Sequence, residues 1–128
     1  NHIIRATLES IALQVCDVID AMRADAGIDL KSLKVDGGAS ANNFLMQFQA
    51  DILGVPVIRP VVLETTALGA ALLAGIGTGV YAGKEEAAAM VHPDLTFHPR
   101  MADRDRDLAL YGWHRAVERS RGWVEPDK

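Results

Sequence analysis

Lys34-Val35-Asp36-Gly37-Gly38-Ala39-Ser40-Ala41-Asn42-Asn43 is the stretch that decides the fold. From Leu33 to Asp36, apolar and polar side chains alternate as in a short strand, and the strand runs straight into two glycines. Without β-carbons the backbone can bend sharply there and be approached closely. A helix is predicted at once, from about Ala41 to Leu53, with Leu45, Phe48 and Ile52 on its inner face, Ser40 as its cap and Gly54 past its end. Strand, double glycine and helix bring open backbone N–H groups to one point, where a phosphate-bearing ligand could sit. An amide such as Asn42 can donate to phosphate or pair with a base. By itself the pattern is a weak signal, and a tight strand-to-helix turn with no ligand accounts for it more readily.

On the N-terminal side, Ile4, Leu8, Ile11, Val15, Val18 or Ile19, and Met22 recur every three to four positions, predicting a helix to about Ala26 that stops at Gly27. On the other side, Val55-Pro56-Val57-Ile58-Arg59-Pro60 is branched and proline-bounded, which predicts a strand near an edge or entering a sheet. Glu64-Thr65-Thr66 opens a third helix through about Ile76, its hydroxyls suited to capping and its carboxylate to the positive end of the dipole. Ala67, Gly69, Ala70, Ala71 and Ala74 allow close packing along it, so this helix is expected among the most buried. The order is α-β-α-β-α, followed by a short exposed helix at Lys84–Ala89 and an extended segment from His92 to Pro99. A charged helix from about Ala102 to Trp123 docks through Leu110, Trp113 and Val117, with Pro126 ending the order.

Composition narrows the function. The 128 residues, 49% hydrophobic, suffice for one domain with a core. Thirteen Lys and Arg scattered among 17 Asp and Glu leave a net charge of −4, with no basic face to hold nucleic acid. No apolar run is long enough to span a bilayer, and no signal-peptide layout opens the chain. The lone Cys16, set among Val15, Val18 and Ile19, is expected to be a buried or half-buried thiol in a reducing cytoplasm. The opening Asn1-His2-Ile3-Ile4-Arg5 is already helical in pattern and has no initiator Met, which suggests a start inside a larger domain.

From Lys34 to Gly54 the chain resembles the glycerol kinases of the FGGY carbohydrate-kinase family almost residue for residue. His2–Ala12 resembles the helix before that strand, and Glu64–Ala71 the small-residue helix after it. The likeness continues more loosely through Phe97, Pro99, Gly112-Trp113 and Trp123. It implies an α/β, ribonuclease H-like or actin-like ATPase fold, with residues 1–128 forming the nucleotide side of the second of two domains and a partial sheet flanked by helices. The family's double-glycine loop lies along the nucleotide. Gly38 therefore carries over as a backbone contact to ATP or ADP, Asn42 as a side-chain contact, and Gly37 as a further backbone contact.

The family's reaction is in-line transfer of the γ-phosphoryl group of MgATP to glycerol, giving sn-glycerol 3-phosphate. The resemblance places the general base, the glycerol-binding residues and the Mg²⁺ ligands outside these residues, so no catalytic or metal residue is assigned here. The chain alone is expected to bind ATP weakly and not to phosphorylate glycerol. Family members form homo-oligomers. Two rival readings stay open: another FGGY kinase, acting on xylulose, ribulose, gluconate or glycerone, and a non-catalytic actin-like nucleotide-binding module.

The sequence departs from many glycerol kinases at Leu13, Val15 and Cys16, which concerns helix packing, and from Arg100 to Leu110, where a regulatory partner of enteric relatives is not carried over. Asp36 is expected to satisfy turn N–H groups rather than to act in catalysis. His92, Asp94 and His98 are broken by Pro93 and read as exposed loop residues rather than metal ligands. Gly79–Lys84 has one residue too few between its glycines for a P-loop, and Gly75-Ile76-Gly77-Thr78-Gly79 follows a helix, so it is no dinucleotide fingerprint. The run from Asp103 to Asp107 reads as a solvated helix start.

Overall fold

The computed structural model describes residues 1–27 and 29–124, so the place expected for Pro126 lies outside the described residues. Helix α1 spans His2–Ala26 and closes on Gly27, whose φ of 63° is the left-handed conformation that glycine adopts without steric cost. Strand β1 (Leu33–Lys34) follows, then a single 3-10 turn at Gly38–Ala41 and helix α2 (Asn43–Leu53). Strand β2 (Val57–Pro60) leads into helix α3 (Thr65–Gly77) and the short α4 (Lys84–Ala88), and strand β3 (Pro93–Phe97) into the closing helix α5 (Asp103–Ser120).

Among the described residues these strands form one sheet in the order β1-β2-β3. Strand β2 runs parallel to β1, pairing Leu33 with Val57, and antiparallel to β3, pairing Val57 with Phe97. Of the two positions expected for β2, near an edge or entering a sheet, the edge position is corrected to the centre. Its prolines fit a central strand because Pro56 precedes it and Pro60 falls at the bulge that ends its pairing with β3, so the ladder loses no N–H that it needs.

The core lies between the sheet and α2, with α1 and α5 packed across it. Leu45, Ile52 and Val57 are its largest fully buried side chains, each worth about 1.5–3 kcal/mol on burial. Ala12 is wholly buried and has only a methyl group, which lets α2 come close to α1, and the Gln49 amide seals the contact by donating to the Ala12 carbonyl at 3.2 Å. On α5, Ala109, Leu110 and Trp113 complete this core, while Asp17 on α1 accepts the Trp113 indole N–H at 2.7 Å. Asp51 receives the amides of Arg100 and Met101, fixing the approach to α5.

Two expected faces are corrected. On α1, Leu8, Ala12, Leu13, Cys16 and Ile19 turn to the core, whereas Ile4, Ile11, Val18 and Met22 are exposed. The helix carries two apolar stripes, and α2 covers only the one that includes Ala12. On α3, expected among the most buried helices, no residue is buried and Leu73 is 69% exposed. Its apolar residues surround the axis, as in helices enclosed on every side, but among the described residues its main neighbour is the short α4. One close contact explains Gly75: a β-carbon there would come within 2.6 Å of the Tyr81 ring.

Candidate functional site

The turn between β1 and α2 is shaped by Gly37, whose φ of 77° and ψ of 171° belong to a region open in practice only to glycine. Its N–H donates to the Leu63 carbonyl at 2.8 Å, tying the turn to the segment before α3. Its own carbonyl accepts the Ser40 N–H at 3.1 Å and the Ser40 hydroxyl at 2.7 Å. Ser40 therefore braces the turn from inside and does not cap α2 as expected. That role falls to Asn42, whose side-chain oxygen accepts the Leu45 N–H at 3.0 Å, and α2 starts at Asn43 rather than Ala41. The side-chain N–H₂ of Asn42 is left to donate outward.

Gly37, Gly38 and Asn42 thus lie within one braced turn, and Gly38 and Asn42 are exposed. A β-carbon built at Gly37 or Gly38 would meet no atom within 4 Å, so the corner is not sealed by the protein's own packing. Among the described residues neither the Gly38 nor the Ala39 N–H has an acceptor, and two adjacent donors stand free. Two concavities adjoin the turn in sequence. One, of about 290 Å³, lies between α1 and α2 and is lined by Ile4, Arg5, Leu8 and Phe44. The other, of about 450 Å³, is lined by Lys34, Asp36, Ile58, Pro60 and Thr65.

Asp36 does not meet turn N–H groups as expected: its carboxylate accepts the Thr65 hydroxyl, linking the end of β1 to the start of α3. The capping bonds expected from the Thr65 and Thr66 hydroxyls are not formed among the described residues, and the N-cap Glu64 makes no side-chain capping bond either. Asp94 stands on β3 rather than in a loop and pairs with Arg59 at 2.7 Å. Among the described residues no three His, Cys, Asp or Glu side chains converge as a metal site. Residue-by-residue reading missed Arg59, a guanidinium with 12% of its side chain exposed. It reaches the carbonyls of Ser40 and Ala41 and the side chain of Asn43. A lone arginine in the otherwise apolar β2 is the signal that marked it.

A parallel strand pair with a glycine corner at its C-terminal end and helices packed on it is an α/β arrangement. The model of the C-terminal domain of the FGGY family of carbohydrate kinases matches residues 1–78, and the chain belongs to that family. Within it, the chain is similar to the glycerol kinase of Solidesulfovibrio magneticus, 60% identical over 124 residues, covering 97% of this chain and 25% of that protein. Among solved structures it is similar to Plasmodium falciparum glycerol kinase with ADP, with a TM-score of 0.80 and 35% identity over 96% of this chain and 25% of that one. Xylulose kinase from Rhodospirillum rubrum follows at a TM-score of 0.73 and 26% identity, covering 93% of this chain and 24% of its own. The fold is accordingly the actin-like ATPase fold of these kinases, and the chain spans about a quarter of the length of the relatives it matches.

Among the described residues no helix is long and apolar enough to cross a membrane.

Proposed function

We propose that residues 1–128 form the nucleotide-binding part of a glycerol kinase, in which Gly38 and Gly37 present main chain to ATP or ADP and Asn42 donates from its side-chain amide. The observation that carries this reading is the open corner at Gly37 and Gly38, where a β-carbon would meet no atom within 4 Å and where the Gly38 and Ala39 N–H groups have no acceptor among the described residues. Free backbone donors suit phosphate oxygens, and the groove lined by Ile4, Leu8 and Phe44 offers apolar and aromatic surface to a base. The relatives support glycerol as acceptor: 60% identity to a glycerol kinase stands well above the 26% to the xylulose kinase.

In this reading ATP supplies the phosphoryl group, and the present residues bind and orient it rather than react with it. Asn42 has one free function, since its oxygen is held by α2, so its orientation is set by the helix it caps. The groups that grip glycerol, remove its proton and ligate Mg²⁺ belong to the part of the family's length that this chain does not match. The buried thiol of Cys16 is consistent with a cytoplasmic protein.

An amide-resolved NMR titration of the 128-residue chain with MgADP tests the site. Shifts should centre on Gly37, Gly38, Ala39 and the Asn42 side-chain amide. Shifts that leave this turn untouched and gather elsewhere would overturn the assignment.

A further inference from the structure

The guanidinium of Arg59 is held from two sides. From one, its Nε and Nη2 both donate to Asp94 Oδ2, at 3.0 and 2.7 Å. From the other, Nη1 points at the turn, donating to Asn43 Oδ1 at 2.8 Å and to the Ser40 carbonyl at 3.1 Å, with the Ala41 carbonyl at 3.4 Å. The Phe97 ring lies beneath the same group, 5.5 Å from centroid to guanidinium carbon. With 12% of the side chain exposed, this is a nearly buried cation whose donors are spent on a loop 16 to 19 residues earlier in the chain.

We infer that Arg59 is the positioning residue of the double-glycine turn. It sets where the Gly38 and Ala39 N–H groups and the Asn42 amide point by fixing the carbonyl side of the same turn to the central strand. This rests on the nucleotide reading of that turn. The free donors lie in the 37–38 and 38–39 peptide units and the anchored carbonyls in the 40–41 and 41–42 units, two residues further along the same 3-10 turn, so holding the second pair constrains the first. An arginine is required because the planar fork meets a carboxylate at one edge and several oxygens at the opposite corner, which the single ammonium of a lysine cannot do. Asp94 contributes by orienting the fork, so its carboxylate acts on the turn only through Arg59.

Hydrogen exchange and MgADP titration on Arg59→Lys and Asp94→Asn test this together. In Arg59→Lys the Ser40 and Asn42 amides, whose protons are held inside the turn, should exchange roughly tenfold faster, as expected when charge-assisted bonds are lost, with α1 amides unchanged. Asp94→Asn should move the same two amides in the same direction by less. MgADP should bind the lysine variant several-fold more weakly. A general structural role would instead speed exchange along β2 and β3 alike, and that result, or unchanged exchange at Ser40 and Asn42, overturns the inference. If Arg59→Lys does not fold, the same amides in Asp94→Asn decide it. If the parent chain shows no MgADP binding at all, the nucleotide reading fails, while the exchange data still judge the hold of Arg59 on the turn.

Discussion

Cys16 shows how far a single side chain can be tuned by its place in a helix. Burial, with Asp20 and Asp17 nearby, raises its pKa from 9.0 to about 11. The thiol donates to Asp20 at 3.8 Å and remains protonated, and so unreactive, at neutral pH. Because the folded-state pKa is above the unfolded one, the native state holds the proton more tightly. The stability this confers is complete below pH 9.0 and is lost as pH rises toward about 11. Thermal melts of the parent and Cys16→Ala across that window should show the parent losing stability more steeply; parallel curves would show that burial does not shift this thiol. Burial was legible in the apolar neighbours, but the influence of Asp17 and Asp20 was not, because it depends on which side of α1 faces the core.

At the scale of elements, Asn42 performs two jobs that substitutions can separate. Asn42→Ala removes the α2 cap and should cost about 1 kcal/mol in chemical denaturation. Asn42→Asp keeps an oxygen for the Leu45 N–H but replaces the outward N–H₂ with negative charge, so it should melt like the parent while binding MgADP more weakly. If Asn42→Asp binds MgADP as tightly as the parent, the amide is only a cap. The strand-glycine-helix order and the stops at Gly27 and Gly54 were legible because local chemistry dictates them. The cap was misplaced onto Ser40 because the 3-10 turn inserts four residues before α2, and Ser40 is spent inside it. The centrality of β2 was hidden for a different reason: β3 joins it from far along the chain, pairing Phe97 with Val57, which no local pattern encodes.

Across the whole molecule, the described residues make one well-packed corner, formed by α1, α2, α5 and the sheet, and one exposed apolar element, α3. The all-round apolar composition of α3 led to the expectation of an enclosed helix, but among the described residues no surface encloses it and none of its residues is buried. The candidate site was legible as a turn with an open corner, while the Arg59–Asp94 brace beneath it was not, since it joins residues 35 apart in sequence. This arrangement separates what folds the turn from what would contact a ligand. Gly37 is required by backbone conformation, whereas Gly38 faces open space and tolerates a β-carbon in the free chain.

Gly38→Val therefore tests nucleotide contact with little effect on folding. Calorimetric titration of MgATP into the parent chain and into this variant should show weak binding by the parent and affinity lower by about tenfold or more in the variant, the cost of roughly one lost close contact, at an unchanged melting temperature. Equal affinities would mean that no nucleotide lies against this stretch of main chain.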